Sequence, residues 1–169
     1  LLMSTPLIVM GVQGCGKSTI GRMLAERLGE PFFDGDDLHS EESKAKMGAG
    51  VPLTDTDREP WLRRIAELIA SEAAAGRHVI IGCSALKRSY RDLLRSTVAT
   101  TRFVHLAGSF EVMTERIQGR NHEYMPTTLL ASQFETLEEL AGDEAGIVVS
   151  VEQTPAQIVD EVLEYLAAS

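Results

Sequence analysis

Residues 7–18 read LIVMGVQGCGKS, and the reading of this stretch decides the fold. Its first four residues are a short apolar run that stops at a glycine, the pattern of a buried parallel strand. Gly11–Ser18 then matches GxxxxGK followed by Ser or Thr in full, between that strand and a helical pattern starting at Lys17. Glycines let successive backbone N–H groups turn onto a phosphate, and the helix N-terminus adds partial positive charge. On this reading Gly11, Gly14, Cys15 and Gly16 cradle the phosphates and Lys17 reaches the β- and γ-phosphates. Ser18 binds Mg²⁺, with Thr19 a lesser helper. Cys15 fills a small position in the loop, because no neighbouring base is visible to make it a nucleophile.

Outward from the loop, strand and helix patterns alternate. Ile20, Met23, Leu24 and Leu28 share one helical face, and Gly29 supplies the stop. Pro31 and Phe32-Phe33 open a second strand ending at Asp34. Residues 40–48 are weakly helical, and AGVPLTDTD (49–57) is a loop. Trp61, Leu62, Ile65, Leu68, Ile69 and Ala73 form a helical stripe ending at Gly76. Its start has two options: Thr56 with Glu59 fits a capping box, while Pro60 prefers the first helical turn. HVIIG (78–82), RFVHLA (102–107) and GIVVSV (146–151) are three further strands, each followed by an amphipathic helix. Thr154 and Pro155 open the last of these helices. Five such strands predict a three-layer α/β domain, a parallel sheet with helices on both faces and right-handed crossovers. No repeat or linker divides residues 1–169.

Composition narrows the function. Twenty-five acidic against sixteen basic residues give a net charge of -9, which argues against nucleic acid as a partner. No apolar run approaches the roughly 20 residues that cross a bilayer, so no membrane is expected. Leu1 and Leu2 ahead of Met3 read as a cloning remnant, too short for a signal peptide. Cys15 and Cys83 form no CxxC pair and no disulfide framework, which points to a reducing cytoplasm.

The kind of phosphate-loop protein follows by exclusion. HVIIG runs into Gly82-Cys83-Ser84 rather than ending in the acid of a motor ATPase, and no Asn-Lys-x-Asp segment reads guanine. A compact ATP-dependent kinase of a small molecule remains. Such an enzyme closes an arginine-bearing lid over the transferred phosphate. The candidate lid lies within ERIQGRNHEYMPTT (115–128), centred on 119–128, with Arg116 and Arg120 one helical turn apart. The plainer alternative makes both arginines a solvated helix face.

GVQGCGKST, FFDGDDLH, KMGAGVPLTDTDREPWL, CSALKRSYRDLLR and LLASQFETLE together resemble the gluconokinases, P-loop kinases that phosphorylate D-gluconate at its 6-hydroxyl with ATP. The resemblance runs from about residue 7 to 165. Shikimate kinases are similar in size and in their acidic strand end, but lack PLTDTDR and CSALKRSYR. A kinase of another small hydroxy acid is the rival within enzymes; a nucleotide-binding regulatory protein without turnover is the rival outside them.

The resemblance implies roles for the acceptor region, about 34–60. Asp34, expected on a strand lying beside the first one, joins the water shell of Mg²⁺. Asp36 orients the acceptor hydroxyl and takes its proton, and Asp37 shapes the turn. The plain alternative is a polar turn in which Asp36 or Asp37 caps the next helix. Arg58 suits a bidentate grip on the gluconate carboxylate, Lys87 is a second cation, and His39 binds a hydroxyl. Without the resemblance Arg58 is a helix-start surface residue and Lys87 a solvated charge. Arg120 faces the transferring phosphate, and Arg116 stacks on the base beside residues 151–154. His122-Glu123-Tyr124 departs from the Gly-His-Phe or Gly-His-Tyr usual in that lid. Family members are often dimers, which leaves a homodimer open.

Overall fold

The computed structural model describes residues 5–120 and 127–169, the side chains of residues 119, 120, 127 and 128 excepted. The strands are β1 (Leu7–Met10), β2 (Phe32–Asp34), β3 (Ile80–Gly82), β4 (Arg102–Ala107) and β5 (Gly146–Ser150). They form one parallel sheet in the order β2-β3-β1-β4-β5. The helices are α1 (Lys17–Leu28), α2 (Glu41–Gly48), α3 (Asp55–Ala74), α4 (Arg88–Leu94), α5 (Phe110–Arg120), α6 (Thr127–Thr136) and α7 (Pro155–Ala167). Among the described residues no helix is long and apolar enough to cross a membrane.

Strand alternation divides the core into two layers. Leu7, Val9, Val104 and Leu106 point to one face, where Ile20 and Leu24 of α1 and Ile158, Val159, Val162 and Leu166 of α7 cover them. Ile8, Met10, Ile81 and Phe103 point to the other, against Trp61, Leu62, Ile65 and Ile69 of α3 and Tyr90 and Leu94 of α4. The three-layer α/β fold expected from the sequence is thus the fold observed.

Two local expectations change. β2 does not lie beside β1: β3 sits between them, with Phe32, Phe33 and Asp34 in register with Ile80, Ile81 and Gly82. The start of α3 lies two residues before the Thr56 option and further still before the Pro60 one. Thr54 is the N-cap, and its side chain and that of Asp57 complete the capping box. Pro60 is accommodated inside the helix on its exposed side. Thr154 caps α7 as expected, with Gln157 completing its box.

A buried ion pair ties the loop before β5 to the loop after β3. Arg91 and Glu144 have side-chain exposures of 0%. The Arg91 Nε donates to Glu144 Oε1 at 2.8 Å and its Nη2 to Oε2 at 3.0 Å. The same guanidinium donates to the carbonyls of Ala85 and Leu86 at 2.9 and 3.3 Å. Ala85 is held at φ 48°, the left-handed region that costs a non-glycine residue about 1–2 kcal/mol. Arg91 therefore keeps the CSALK loop in a shape it would not adopt alone. Burial by itself would push the Glu144 carboxyl up, but hydrogen bonds from Arg91, the Ala141 N–H and Arg95 hold it down at about 2. Arg91→Ala leaves Glu144 buried and uncompensated, so urea unfolding should show a loss of about 3–5 kcal/mol. Replacing both residues by Met should recover most of that loss.

Candidate active site

The Gly11–Ser18 loop joins β1 to α1. A Cβ on Gly11 would come within 2.8 Å of the Leu106 carbonyl oxygen, so only glycine fits there. Gly16, at φ 99°, turns the chain into α1, whose first turn carries no side-chain cap. That leaves a helix N-terminus facing the cleft with its donors free of side chains, as an anion needs. The Lys17 Nζ folds back over the loop, donating to Gly11 O at 2.9 Å and Val12 O at 3.1 Å. Cys15 is buried, and burial raises its thiol pKa against the opposing pull of Lys17. Cys83 is likewise buried and pushed up to about 12. Both thiols are packing groups.

Asp34 at the end of β2 reaches this loop across Gly82. The two are in register, and a Cβ on Gly82 would lie 3.8 Å from the Cβ of Lys17. The DGDD turn beyond it is a short 3₁₀ segment, Gly35–Leu38. Asp34 Oδ1 accepts from the Asp36 N–H at 2.9 Å, so Asp34 caps this turn, and Ser40 caps α2. Neither Asp36 nor Asp37 takes the capping role that the plainer sequence reading gave them. Below the turn the Trp61 indole N–H donates to Gly35 O at 2.7 Å, and a Cβ on Gly35 would approach Gly82 O to 2.8 Å. The carboxylate of Asp36 is therefore aimed by backbone that is fixed on three sides.

The Asp36 pKa is raised, first by the protein walls that displace water from it, then by Asp34, with Lys17 opposing and Asp37 adding a little. Its side chain stays 77% accessible, so the cleft crowds it without closing over it. His39 is buried, with Nε2 3.9 Å from Asp36 Oδ1 and its ring stacked on Trp61 at 4.0 Å. Burial, then Arg58, Arg64 and Lys44, lower its pKa to about 4, so it is a neutral imidazole at physiological pH. Asp34, Asp36 and the Ser18 hydroxyl are hard oxygen donors, the kind Mg²⁺ takes alongside phosphate and water. Among the described residues no group of three or more His, Cys, Asp or Glu could hold a metal ion.

Arg58 and Lys87 come together around Tyr90. The Arg58 Nη1 donates to Leu53 O at 2.9 Å and to the Tyr90 hydroxyl at 3.3 Å. The guanidinium carbon lies 5.6 Å from the Tyr90 ring centre and Lys87 Nζ 5.4 Å. The Tyr90 hydroxyl donates to Asp55, which also accepts from Lys87 at 3.3 Å. Two cations and one carboxylate leave this cluster with net positive charge in an acidic protein. Sequence reasoning missed Tyr90 and Asp55, although both lie inside the motifs CSALKRSYR and PLTDTDR.

On the far side of the phosphate loop, Arg116 Nη2 donates to Val151 O at 2.7 Å, joining two of the features expected near the base. The side chain of Arg120 and the segment His122-Glu123-Tyr124, with the rest of 121–126, lie outside the described residues.

A parallel sheet of this order, with GxxxxGKS between β1 and α1, defines a P-loop kinase. The family model for shikimate kinase matches residues 13–167. A probable gluconokinase from Rattus norvegicus is 44% identical, covering 97% of this chain and 100% of that protein. A gluconokinase from Gluconobacter oxydans (strain 621H) is 43% identical over 96% and 91% of the two chains. The crystal structure of a gluconokinase from Sinorhizobium meliloti 1021 superposes with a TM-score of 0.91 at 46% identity, covering 99% of this chain and 94% of that one. The chain belongs to the gluconokinase family, within the wider shikimate kinase group.

The low pKa of His39 has a measurable consequence. Between pH 6.5 and 4 the unfolded chain takes up a proton that the folded chain refuses. Stability from this residue is full above pH 6.5 and falls as the pH drops, levelling off below pH 4 after a loss of about 3 kcal/mol. Urea unfolding from pH 7 to 4 should show this slope in the native protein and a shallower one in His39→Gln.

Proposed function

We propose that this protein is an ATP-dependent gluconokinase that transfers the γ-phosphoryl group to the 6-hydroxyl of D-gluconate. The observation carrying this reading is the Arg58–Tyr90–Lys87 cluster, a cationic grip for a carboxylate, on the same side of the sheet as the Asp34–Asp36 turn. Residues 1–169 act as one kinase domain, with the acceptor region at 34–60 and the lid at 119–128.

In this mechanism Gly11, Gly14, Cys15 and Gly16 cradle the phosphates of ATP through backbone N–H groups. Lys17 gives up its hold on the Gly11 and Val12 carbonyls for phosphate oxygens, exchanging neutral acceptors for charged ones. Ser18 and, through water, Asp34 would hold Mg²⁺, which when bound would neutralise phosphate charge. Arg58 and Lys87 fix the gluconate carboxylate, and His39, as a neutral imidazole, offers a hydrogen bond to a hydroxyl. Asp36 orients the 6-hydroxyl and accepts its proton as the oxygen bonds to the γ-phosphorus and the bond to ADP breaks. A raised Asp36 pKa favours that acceptance. Arg116 borders the base together with residues 151–154, and Thr19 supports Ser18. Arg120 completes the charge around the transferring group, where an arginine contributes about 10³–10⁵ in rate.

A coupled ADP-release assay across sugar acids, shikimate and nucleoside monophosphates tests the substrate, and gluconate should be preferred. A preference for any other acceptor would overturn the assignment. Lys17→Ala should abolish transfer. Asp36→Asn should lower kcat by about 10²–10⁴ while ATP affinity changes little. Arg58→Ala should raise the KM for gluconate roughly 10- to 100-fold, with the KM for ATP nearly unchanged.

A further inference from the structure

The segment LLASQFETLE (129–138) takes no part in the mechanism above, yet it grips both halves of the site. At one end Gln133 Oε1, on α6, accepts the Gln13 N–H of the phosphate loop at 2.7 Å. At the other, Glu138 Oε1 accepts the Arg88 N–H at 3.0 Å, and the Glu138 N–H donates to Leu86 O at 2.7 Å. Leu86 and Arg88 are the two neighbours of Lys87, so Glu138 clamps the backbone on either side of the proposed acceptor cation. Between the two grips the segment is anchored by apolar contacts. Leu130 is buried in the core, Phe134 meets Phe110 edge-on at 5.8 Å, and Leu137 packs against both core layers.

We propose that α6 and the two residues after it are a positioning brace that sets the separation between the phosphate loop and Lys87. Leu130, Phe134 and Leu137 are enough to seat the helix. The two side-chain acceptors add something packing does not supply: each fixes a backbone N–H of a functional loop at a stated point. Gln133 removes the Gln13 N–H from the set available to phosphate and fixes the entry to the glycine turn. Donor and acceptor loops held by one short rigid element keep their spacing, and a displacement of about 1 Å between reacting groups can cost 10²-fold in rate. Gln133 is thus a positioning residue that acts through Gln13.

The test uses the full chain with Gln133→Met, which keeps length and apolar packing but removes the acceptor, and Gln133→Glu, which keeps an acceptor oxygen. Two readouts are taken: amide exchange at Gln13 by ¹⁵N NMR, and steady-state kinetics with ATP and gluconate. In Q133M the Gln13 amide should exchange roughly tenfold faster, the worth of one lost hydrogen bond. Its kcat should fall roughly 10- to 100-fold, with the thermal midpoint and both KM values little changed. Q133E should restore protection and kcat while raising the KM for ATP, because its charge opposes phosphate. A Q133M enzyme with native kcat, or one whose Gln13 amide stays protected, overturns the proposal. Should Q133M fail to fold, Gln133→Asn, too short to reach, carries the same expectations. The kinetic arm rests on the gluconokinase reading; the exchange arm does not. An enzyme inactive on gluconate but showing the exchange difference would refute that reading and leave the Gln133 contact standing.

Discussion

The site depends on one bare position in the sheet. Because β3 lies between β2 and β1, the acidic end of β2 meets the phosphate loop only across Gly82. A Cβ there would already be in van der Waals contact with the Phe32 ring and the Lys17 stem, 3.5 and 3.8 Å away, so the position has little room for a longer side chain. The next turn is tighter, since a Cβ on Gly35 would come within 2.8 Å of the Gly82 carbonyl oxygen. Close backbone approach at these two glycines lets two carboxylates and an ammonium share one crevice at the carboxyl ends of the strands, where parallel α/β sheets bind ligands. The pKa of Asp36 is raised first by the walls that displace water from it and then by Asp34 beside it.

Charge is distributed to match. The protein carries a net charge of -9, and yet Arg58 and Lys87 are gathered over one tyrosine ring. Asp55 partly neutralises them through its contacts with Lys87 and the Tyr90 hydroxyl. Its pairing with Lys87 is exposed and 3.3 Å long, the kind of surface contact that water screens and that contributes little. The general acidity repels anions elsewhere, which favours this cluster and the phosphate loop as their proposed seats.

The fold was legible because each of its signals is local. A short apolar run, a glycine loop and a 3.6-residue stripe each declare an element, and five repetitions of that alternation leave few other architectures. Strand order was not legible: nothing in FFDGDD says which neighbour it pairs with, and the expectation that β2 lies beside β1 failed for that reason. The α3 cap was misplaced because Thr54-x-x-Asp57 and Thr56-x-x-Glu59 have the same spacing, and only packing chooses between them. Lys17, Arg58 and Lys87 could be singled out from charge and motif. Trp61, Tyr90 and Arg91 could not, since a residue on an apolar helical face looks the same whether it merely fills space or also holds a loop. The Trp61 indole N–H on Gly35 and the Arg91 fork on Ala85 and Leu86 appear only once distant elements are packed.

Those distant supports hold so polar a crevice in shape. Unpaired backbone groups in a partly desolvated cleft cost about as much as lost hydrogen bonds, and loops that ordered only on binding would subtract that ordering from affinity. Here the acceptor turn is closed by Asp34 and Trp61, the loop after β3 by Arg91 and Glu138, and the phosphate loop by Gln133 and by Lys17 itself. Of these, Lys17 is held by neutral acceptors, the Gly11 and Val12 carbonyls and the Cys15 sulfur, which charged phosphate oxygens outcompete. Among these three loops the Lys17 ammonium is thus the group with the loosest hold, and it is the one that the proposed mechanism moves. Binding energy is then left for orienting the transferred group rather than for building the site.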